Sequence, residues 1–411
     1  MKNQRTVPAM ARRIWRRASI HRVFFSLLGF NALLYMAGAT FAPYISVYYR
    51  SQGISVSEIG ILLAIGPLVT LVAQPSWGIL GDKTGRHLSV LRLVIGGSML
   101  AVLSFYLADS FWLYALAAGL MTLFTCGIQP MGDTVVVKEA ARRGYRFSSI
   151  RMGGTLGYSL TVVLAGGLLK LYPSASFGLT SFLYLAMLLI TFALPKPQST
   201  QAQGAEVPKQ KLEIGRLFRN HRVILIILFA FVFQLGLSFY GAFIGVFVTE
   251  ELGYDNSVIG VMQCIAALSE APVLLFIDKA LRRFRTQTLL VAAGFIMVVR
   301  LLLPPLTFSI AGVAVAQALQ GMSFMIMYYS TVMYLNEKLD PSLRGTGMSV
   351  LCVVQGGMAA LLSNVVGGQL GDRLGLRSSY LLYAGLLLVF MLACCGWLIL
   401  RKRGKRLPEA A

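Results

Sequence analysis

The sequence predicts an all-α polytopic membrane protein, with twelve transmembrane helices in two pseudo-symmetric six-helix bundles. Three observations carry that expectation. Of 411 residues, 56% are hydrophobic and only 13% are charged, about half the charged share of an average soluble domain. Apolar runs of roughly 18 to 25 residues, the length a helix needs to cross about 30 Å of hydrocarbon, recur along the whole chain. One polar linker rich in Pro, Gln and Lys divides these runs six and six. A formal net charge of +21, from 37 Lys+Arg against 16 Asp+Glu, points to nucleic acid where basic residues lie among polar ones. Here they lie between apolar runs, so the expected surroundings are a lipid bilayer and nucleic acid is not a partner.

The spans fall at about 23–49, 56–80, 88–108, 111–136, 147–171 and 174–194, then 222–249, 256–277, 286–308, 310–335, 346–370 and 379–400. In hydrocarbon every backbone N–H and C=O must be paired within its own segment, so runs this long are helices. Strands of an outer-membrane barrel would be about ten residues long and would alternate. The expected organisation is a basic N-terminus (1–22), an N-terminal bundle (23–195), a linker (196–221), a C-terminal bundle (222–400) and a basic tail (401–411). Placing the N-terminus inside assigns nearly all of the 37 Lys and Arg to the cytoplasmic side. Only Arg50, Lys170, Arg373 and Arg377 fall outside, and Arg151 and Arg300 lie in or against apolar sequence. Both termini are then cytoplasmic, in a bacterial inner membrane. Span 1 is too long for a signal-peptide core and lacks a small-x-small cleavage site, so it stays as an anchor. The five Cys (126, 264, 352, 394, 395) sit in apolar runs without metal or disulfide spacing and read as small buried hydrophobes.

The two halves are copies. Gly53-Ile-Ser-Val-Ser-Glu-Ile-Gly60 enters span 2 and Gly253-Tyr-Asp-Asn-Ser-Val-Ile-Gly260 enters span 8, with Gly, Ser, Ile and Gly in register. Asp82-Lys83 recurs as Asp278-Lys279 at the exit of the same two spans. Duplicated six-span halves with a site between them are a transporter architecture. Glycine pairs on spans 5 and 11, Gly153-Gly154, Gly166-Gly167, Gly356-Gly357 and Gly367-Gly368, are read as places where sliding helices approach closely.

The loop after span 2 reads Gly78-Ile-Leu-Gly-Asp82-Lys83-Thr-Gly85-Arg86-His87. It resembles the G-x-x-x-D-[RK]-x-G-[RK]-[RK] signature of the major facilitator superfamily, with His87 in place of the last basic residue. The resemblance implies that fold and a cytoplasmic gate formed by Gly78, Asp82, Lys83, Gly85 and Arg86. Gln129-Pro130-Met-Gly-Asp133, Ile150-Arg151-Met-Gly-Gly, Ser269-Glu270-Ala-Pro and Val299-Arg300 are similar to the lactose permease and phenylpropionate permease branch of proton symporters. That similarity implies a cavity-facing acid on helix 4 and an Arg on helix 5. Relatives in that branch commonly carry a His on helix 10, where this chain has Gln317 and Gln320.

Independently of the resemblance, Asp133, Arg151, Glu270 and Arg300 are ionisable groups within or against apolar runs. A charge at a bilayer centre costs about 2.5–3.5 kcal/mol on insertion scales, so such groups face a cavity or a partner. The expected solute site is Gln129, Asp133, Arg151, Gln234, Gln263, Gln317 and Gln320. Proton coupling is assigned to Glu270, Arg300 and Asp133, with Glu270 paired to Arg300 and Asp133 to Arg151. In this expectation Glu270 changes its proton affinity as Arg300 approaches. Asn31, Tyr35, Tyr240 and Gln355 are further polar candidates. No span carries a His, and there is no nucleophile motif, metal constellation or phosphate loop, so no enzymatic activity, metal or cofactor is expected. The expected function is proton-coupled uptake of a small polar or anionic organic solute by alternating access, in a monomer. Its rival is proton-driven export of drugs or metabolites.

Overall fold

The computed structural model describes residues 9–194, 214–217, 221–340 and 343–406, with the side chains of 9–22, 214, 216, 221, 222, 278 and 397–406 outside the description. Most of the expected linker, the end of the tail and the acid of the second Asp-Lys pair, Asp278, therefore lie outside the described residues. Twelve helices are long and apolar enough to cross a membrane. They are span 1 (Val23–Ser51), span 2 (Val56–Thr84), span 3 (His87–Leu107), span 4 (Phe111–Arg143), span 5 (Phe147–Leu171) and span 6 (Ala175–Ala193). The second set is span 7 (Val223–Glu251), span 8 (Asn256–Ile277), span 9 (Thr286–Thr307), span 10 (Ile310–Lys338), span 11 (Arg344–Leu374) and span 12 (Leu376–Gly396).

The internal repeat has a structural cause. Gly53 and Gly253 both take left-handed φ, 79° and 72°, a conformation that favours glycine, and each turns the chain into the next helix. Two residues later comes an N-cap. Ser55 Oγ accepts from the Glu58 N–H while the Glu58 carboxylate accepts from the Ser55 N–H, a capping box. In the second copy Asp255 accepts from the Ser257 N–H.

Within the first half span 1 packs on spans 5 and 6, and span 4 on spans 2 and 3; within the second, span 9 packs on spans 10 and 12, and span 7 on span 11. The halves meet chiefly through span 2 against span 11 and span 5 against span 8. Both meetings are glycine contacts. A Cβ on Gly60 would strike the Asn364 carbonyl and Gly368, and one on Gly260 would strike the Val162 carbonyl. One on Gly166 would meet the backbone of Asn256 and Ser257. The glycines on spans 5 and 11 thus serve as expected at Gly166 and Gly368. Gly153 and Gly154 instead face span 1, at Leu28, Asn31 and Tyr35.

Beyond the glycines, the end of the molecule farther from the start of span 1 is closed by polar contacts. Both oxygens of Asp372 accept from the Val56 and Ser57 N–H groups at the N-terminus of span 2 (2.9 and 2.8 Å), where the helix dipole favours an anion. Arg50 pairs with Glu250 at 2.6 Å and Lys170 with Asp255 at 2.9 Å. At the opposite, basic end the halves part around a vestibule of about 900 Å³ between spans 2, 4, 10 and 11. Cys352, read from the sequence as buried, is exposed on its wall, because span 11 turns through a π-helical stretch (Val353–Ala359) just beyond it.

Two outcomes are expected. With Cys352 as the sole thiol, replacing Gly60 or Gly260 by Leu should wedge the closed end apart, shut the vestibule and slow Cys352 labelling by a bulky maleimide; unchanged labelling would show that these glycines do not control closure. Hydrogen bonds from Ser257 and Lys170 lower the Asp255 carboxyl to about 2. Its contribution is therefore full above the ordinary carboxylate range and is lost only as pH falls through that value. The ratio of labelling rates of wild type and Asp255→Asn should accordingly be the same at any pH from about 5 to 8, the thiolate dependence of the reaction cancelling in the ratio.

Candidate functional site

Between the halves, at mid-depth, lies a chamber of about 490 Å³ that meets the vestibule at Gln234 and Phe324. Its wall brings together Arg151, Gln234, Gln263, Glu270, Arg300, Gln317 and Gln320 from five spans. Tyr35, Thr155, Tyr158 and Tyr240 complete the polar lining. Thr155 and Tyr158 escape a search for charged and amide residues, although they follow Arg151 at one-turn spacing on the same helix.

Arg151, at the start of span 5, does not snorkel toward the headgroups. It donates to the Tyr35 hydroxyl, and its guanidinium lies 4.8 Å from that ring's centre. Gln129 donates to the same hydroxyl at 3.4 Å. Asp133, expected to pair with Arg151, makes no ion pair with it; one carboxylate oxygen is buried without a hydrogen-bond partner. Neither Asp133 nor Gln129 belongs to the chamber wall. Gln129 is exposed and Asp133 partly buried, both on span 4, while Asn31 on span 1 is fully buried.

Glu270 and Gln320 both line the chamber, and Gln320, Arg151 and then Arg300 bear on the Glu270 carboxyl. Arg300 differs from the expectation. Only 1% exposed, it donates from Nε to the Ala316 carbonyl and from Nη1 to Ser323 Oγ, both at 2.9 Å, and lies 4.7 Å from the centre of the Tyr240 ring. Among the described residues it forms no ion pair. The reason is a feature the sequence does not announce. Span 10 is interrupted at Leu319, between Ile310–Ala318 and Gln320–Lys338, so backbone groups leave the helical ladder there and need partners. Arg300 is one of them, bonded on both sides of the interruption. It shares its half with Glu270. The cation that faces Glu270 from the other half is Arg151.

The gate motif lies apart from the chamber. Gly85 ends span 2 at φ 63°, a position that asks for glycine. Gly78 and Asp82 line the vestibule. The side chain of Asp82 is largely exposed and approaches His87 at 3.7 Å, while Lys83 and Arg86 face solvent. Among the described residues the motif makes no ion pair between the halves in this conformation. The cross-half carboxylate on a helix N-terminus is Asp372, at the other end. Among the described residues no cluster of metal ligands is found.

Replacing Arg300 by Met should take the guanidinium donor from the Ala316 carbonyl, at a cost of about 1–3 kcal/mol, and leave Ser323 Oγ only its bond to the Gln320 carbonyl. It should lower the thermal unfolding temperature of the detergent-solubilised protein. An unchanged melting temperature would show that the interruption does not need its guanidinium.

Comparison with known proteins agrees with this geometry. Residues 24–382 match the MFS_1 like family. The maltose permease of Geobacillus stearothermophilus is 25% identical over 386 residues, covering 92% of this chain and 95% of that protein. The multidrug resistance protein MdtG of Citrobacter koseri is 25% identical over 294 residues, covering 67% and 70%. The crystal structure of the nucleoside transporter NupG superposes with a TM-score of 0.80 at 16% identity, covering 91% of this chain and 98% of that one. A family match over most of the chain, twelve spans and a polar chamber between two bundles lead to one conclusion: this chain belongs to the MFS_1 like family of the major facilitator superfamily, and is a multi-pass secondary transporter of the inner membrane.

Proposed function

We propose that the protein imports a neutral, hydroxyl-rich solute of sugar or nucleoside size together with protons, with both termini cytoplasmic and the present conformation facing inward. The observation that carries this reading is the chamber lining. Amides of Gln234, Gln263, Gln317 and Gln320 stand beside the hydroxyls of Tyr35, Tyr158 and Tyr240. Planar amides and tyrosines pair with hydroxyl groups and stack on sugar or base faces. Of the two cations that would attract a carboxylate, Arg300 already commits Nε to the Ala316 carbonyl and Nη1 to Ser323. The volume suits a ligand of that size. The likeness to the maltose permease spans almost the whole chain.

The inward orientation follows from the basic residues at the open end. Arg151 and Glu270 sit in different halves, so rocking about the closed end alters their separation and with it the proton affinity of the carboxyl. That is what proton coupling requires. The multidrug relative keeps export as the rival reading over the part of the chain it matches.

The test is uptake into right-side-out and inverted vesicles across a panel of sugars, nucleosides and organic acids, with and without an imposed pH gradient. At one proton per solute, each pH unit is worth about 1.4 kcal/mol, a roughly ten-fold accumulation. Glu270→Gln should abolish that accumulation while solute exchange continues. Accumulation by the variant would overturn the assignment of coupling to Glu270, preference for carboxylates the assignment of solute class, and accumulation only in inverted vesicles the assignment of direction.

A further inference from the structure

The interruption of span 10 is held from two sides. Arg300 takes the Ala316 carbonyl and Ser323. From span 8, Ser269 Oγ accepts from the Gly321 N–H at 3.0 Å, stands 3.5 Å from the Gln317 carbonyl, and donates within its own helix to the Ala266 carbonyl at 2.7 Å. One hydroxyl therefore touches the backbone on both sides of the interruption. The approach is as close as backbones allow: a Cβ on Gly321 would fall on the Ser269 carbonyl group and the Cα of Glu270. Glu270 is the next residue after Ser269, and Gln320, whose amide bears on its carboxyl, is the residue before Gly321. The same four positions that fasten span 8 to span 10 thus set the distance between the Glu270 carboxyl and the Gln320 amide.

Resting on the proposed role of Glu270, we infer that Ser269 is a positioning residue for coupling: its hydroxyl fastens span 8 to the interruption of span 10 so that Gln320 stays on the Glu270 carboxyl. The other groups that bear on that carboxyl are Tyr35 from span 1, Arg151 and Tyr158 from span 5 and Arg300 from span 9. Tyr35, Arg151 and Tyr158 stand across the chamber in the first half and Arg300 in the same half as Glu270; the Ser269–Gly321 bond ties the two helices together right beside Glu270 and Gln320. Without the hydroxyl the Gly321 N–H loses its partner, the two spans separate, and Gln320 no longer discriminates the charged from the protonated acid.

The experiment compares wild type, Ser269→Ala, Ser269→Thr and Glu270→Gln in proteoliposomes, reading solute exchange and gradient-driven accumulation across pH with a solute identified by the uptake panel. Ser269→Ala should lower the accumulation ratio by roughly ten-fold and displace the pH dependence of net flux, while exchange stays within roughly two-fold of wild type. Ser269→Thr, which keeps the hydroxyl, should restore both. Gly321→Ala, which forces the same two backbones apart, should reproduce the Ser269→Ala defect and guards against a defect peculiar to that one variant. If Ser269→Ala accumulates with wild-type ratio and pH profile while Glu270→Gln does not, the positioning role is wrong and the role of Glu270 stands. If Glu270→Gln itself accumulates, the reading on which this inference rests is what fails. If exchange and accumulation fall together in Ser269→Ala and the Thr variant does not restore them, Ser269 only stabilises the bundle and the inference is overturned.

Discussion

Everything in this molecule depends on how closely two helix backbones can approach where no side chain intervenes. At Gly60 against Asn364 and Gly368, at Gly166 against Asn256 and Ser257, and at Gly260 against Val162 and Val163 the halves touch main chain to main chain, and nothing larger than hydrogen fits between them. Helices in lipid gain little from hydrophobic burial against each other, so close packing and hydrogen bonds carry the association. Because these contacts sit at one end only, the halves diverge toward the other, and the divergence is what leaves room for the chamber and the vestibule. The polar contacts of Asp372, Arg50 and Lys170 then act on a joint whose shape the glycines have set.

The same argument works on a smaller scale at the interruption of span 10. A broken helix in hydrocarbon leaves backbone groups unpaired, and here Ser269 and Arg300 supply the partners. Arg300 is thereby held against span 10 at the chamber wall. The chamber keeps one cation, Arg151, directed at its contents from the first half and one acid, Glu270, from the second. Their separation is the quantity that rocking changes.

Much of this was legible in the sequence. The length of each apolar run gave every span to within a few residues, because hydrocarbon thickness leaves helices little choice. Gly53 to Gly60 and Gly253 to Gly260 announced the duplication, and the structure supplies their cause in two left-handed turns and two N-caps. The cost of intramembrane charge pointed to Asp133, Arg151, Glu270 and Arg300; the last three line one chamber and Asp133 does not. Pairing was not legible. Arg151 chose Tyr35 over Asp133. Arg300 chose carbonyl and hydroxyl partners over Glu270, because span 10 is interrupted where no Pro marks it: it reads Ala316-Gln-Ala-Leu-Gln-Gly321 without one. The closing role of Asp372 was hidden as well, because a lone Asp at a helix end carries no sign of the helix N-terminus that will meet it across the interface.

The account's central claim is that the glycine end and the basic end open in turn around a chamber that holds the solute. Distances between spin labels at Gln52 and Tyr254 on the closed end, and at Lys83 and Arg282 on the basic end, test it most directly when recorded with and without a transported solute. The account predicts reciprocal change, the first pair lengthening in the fraction of molecules in which the second shortens. Two pairs that stay fixed, or that lengthen together, would contradict it.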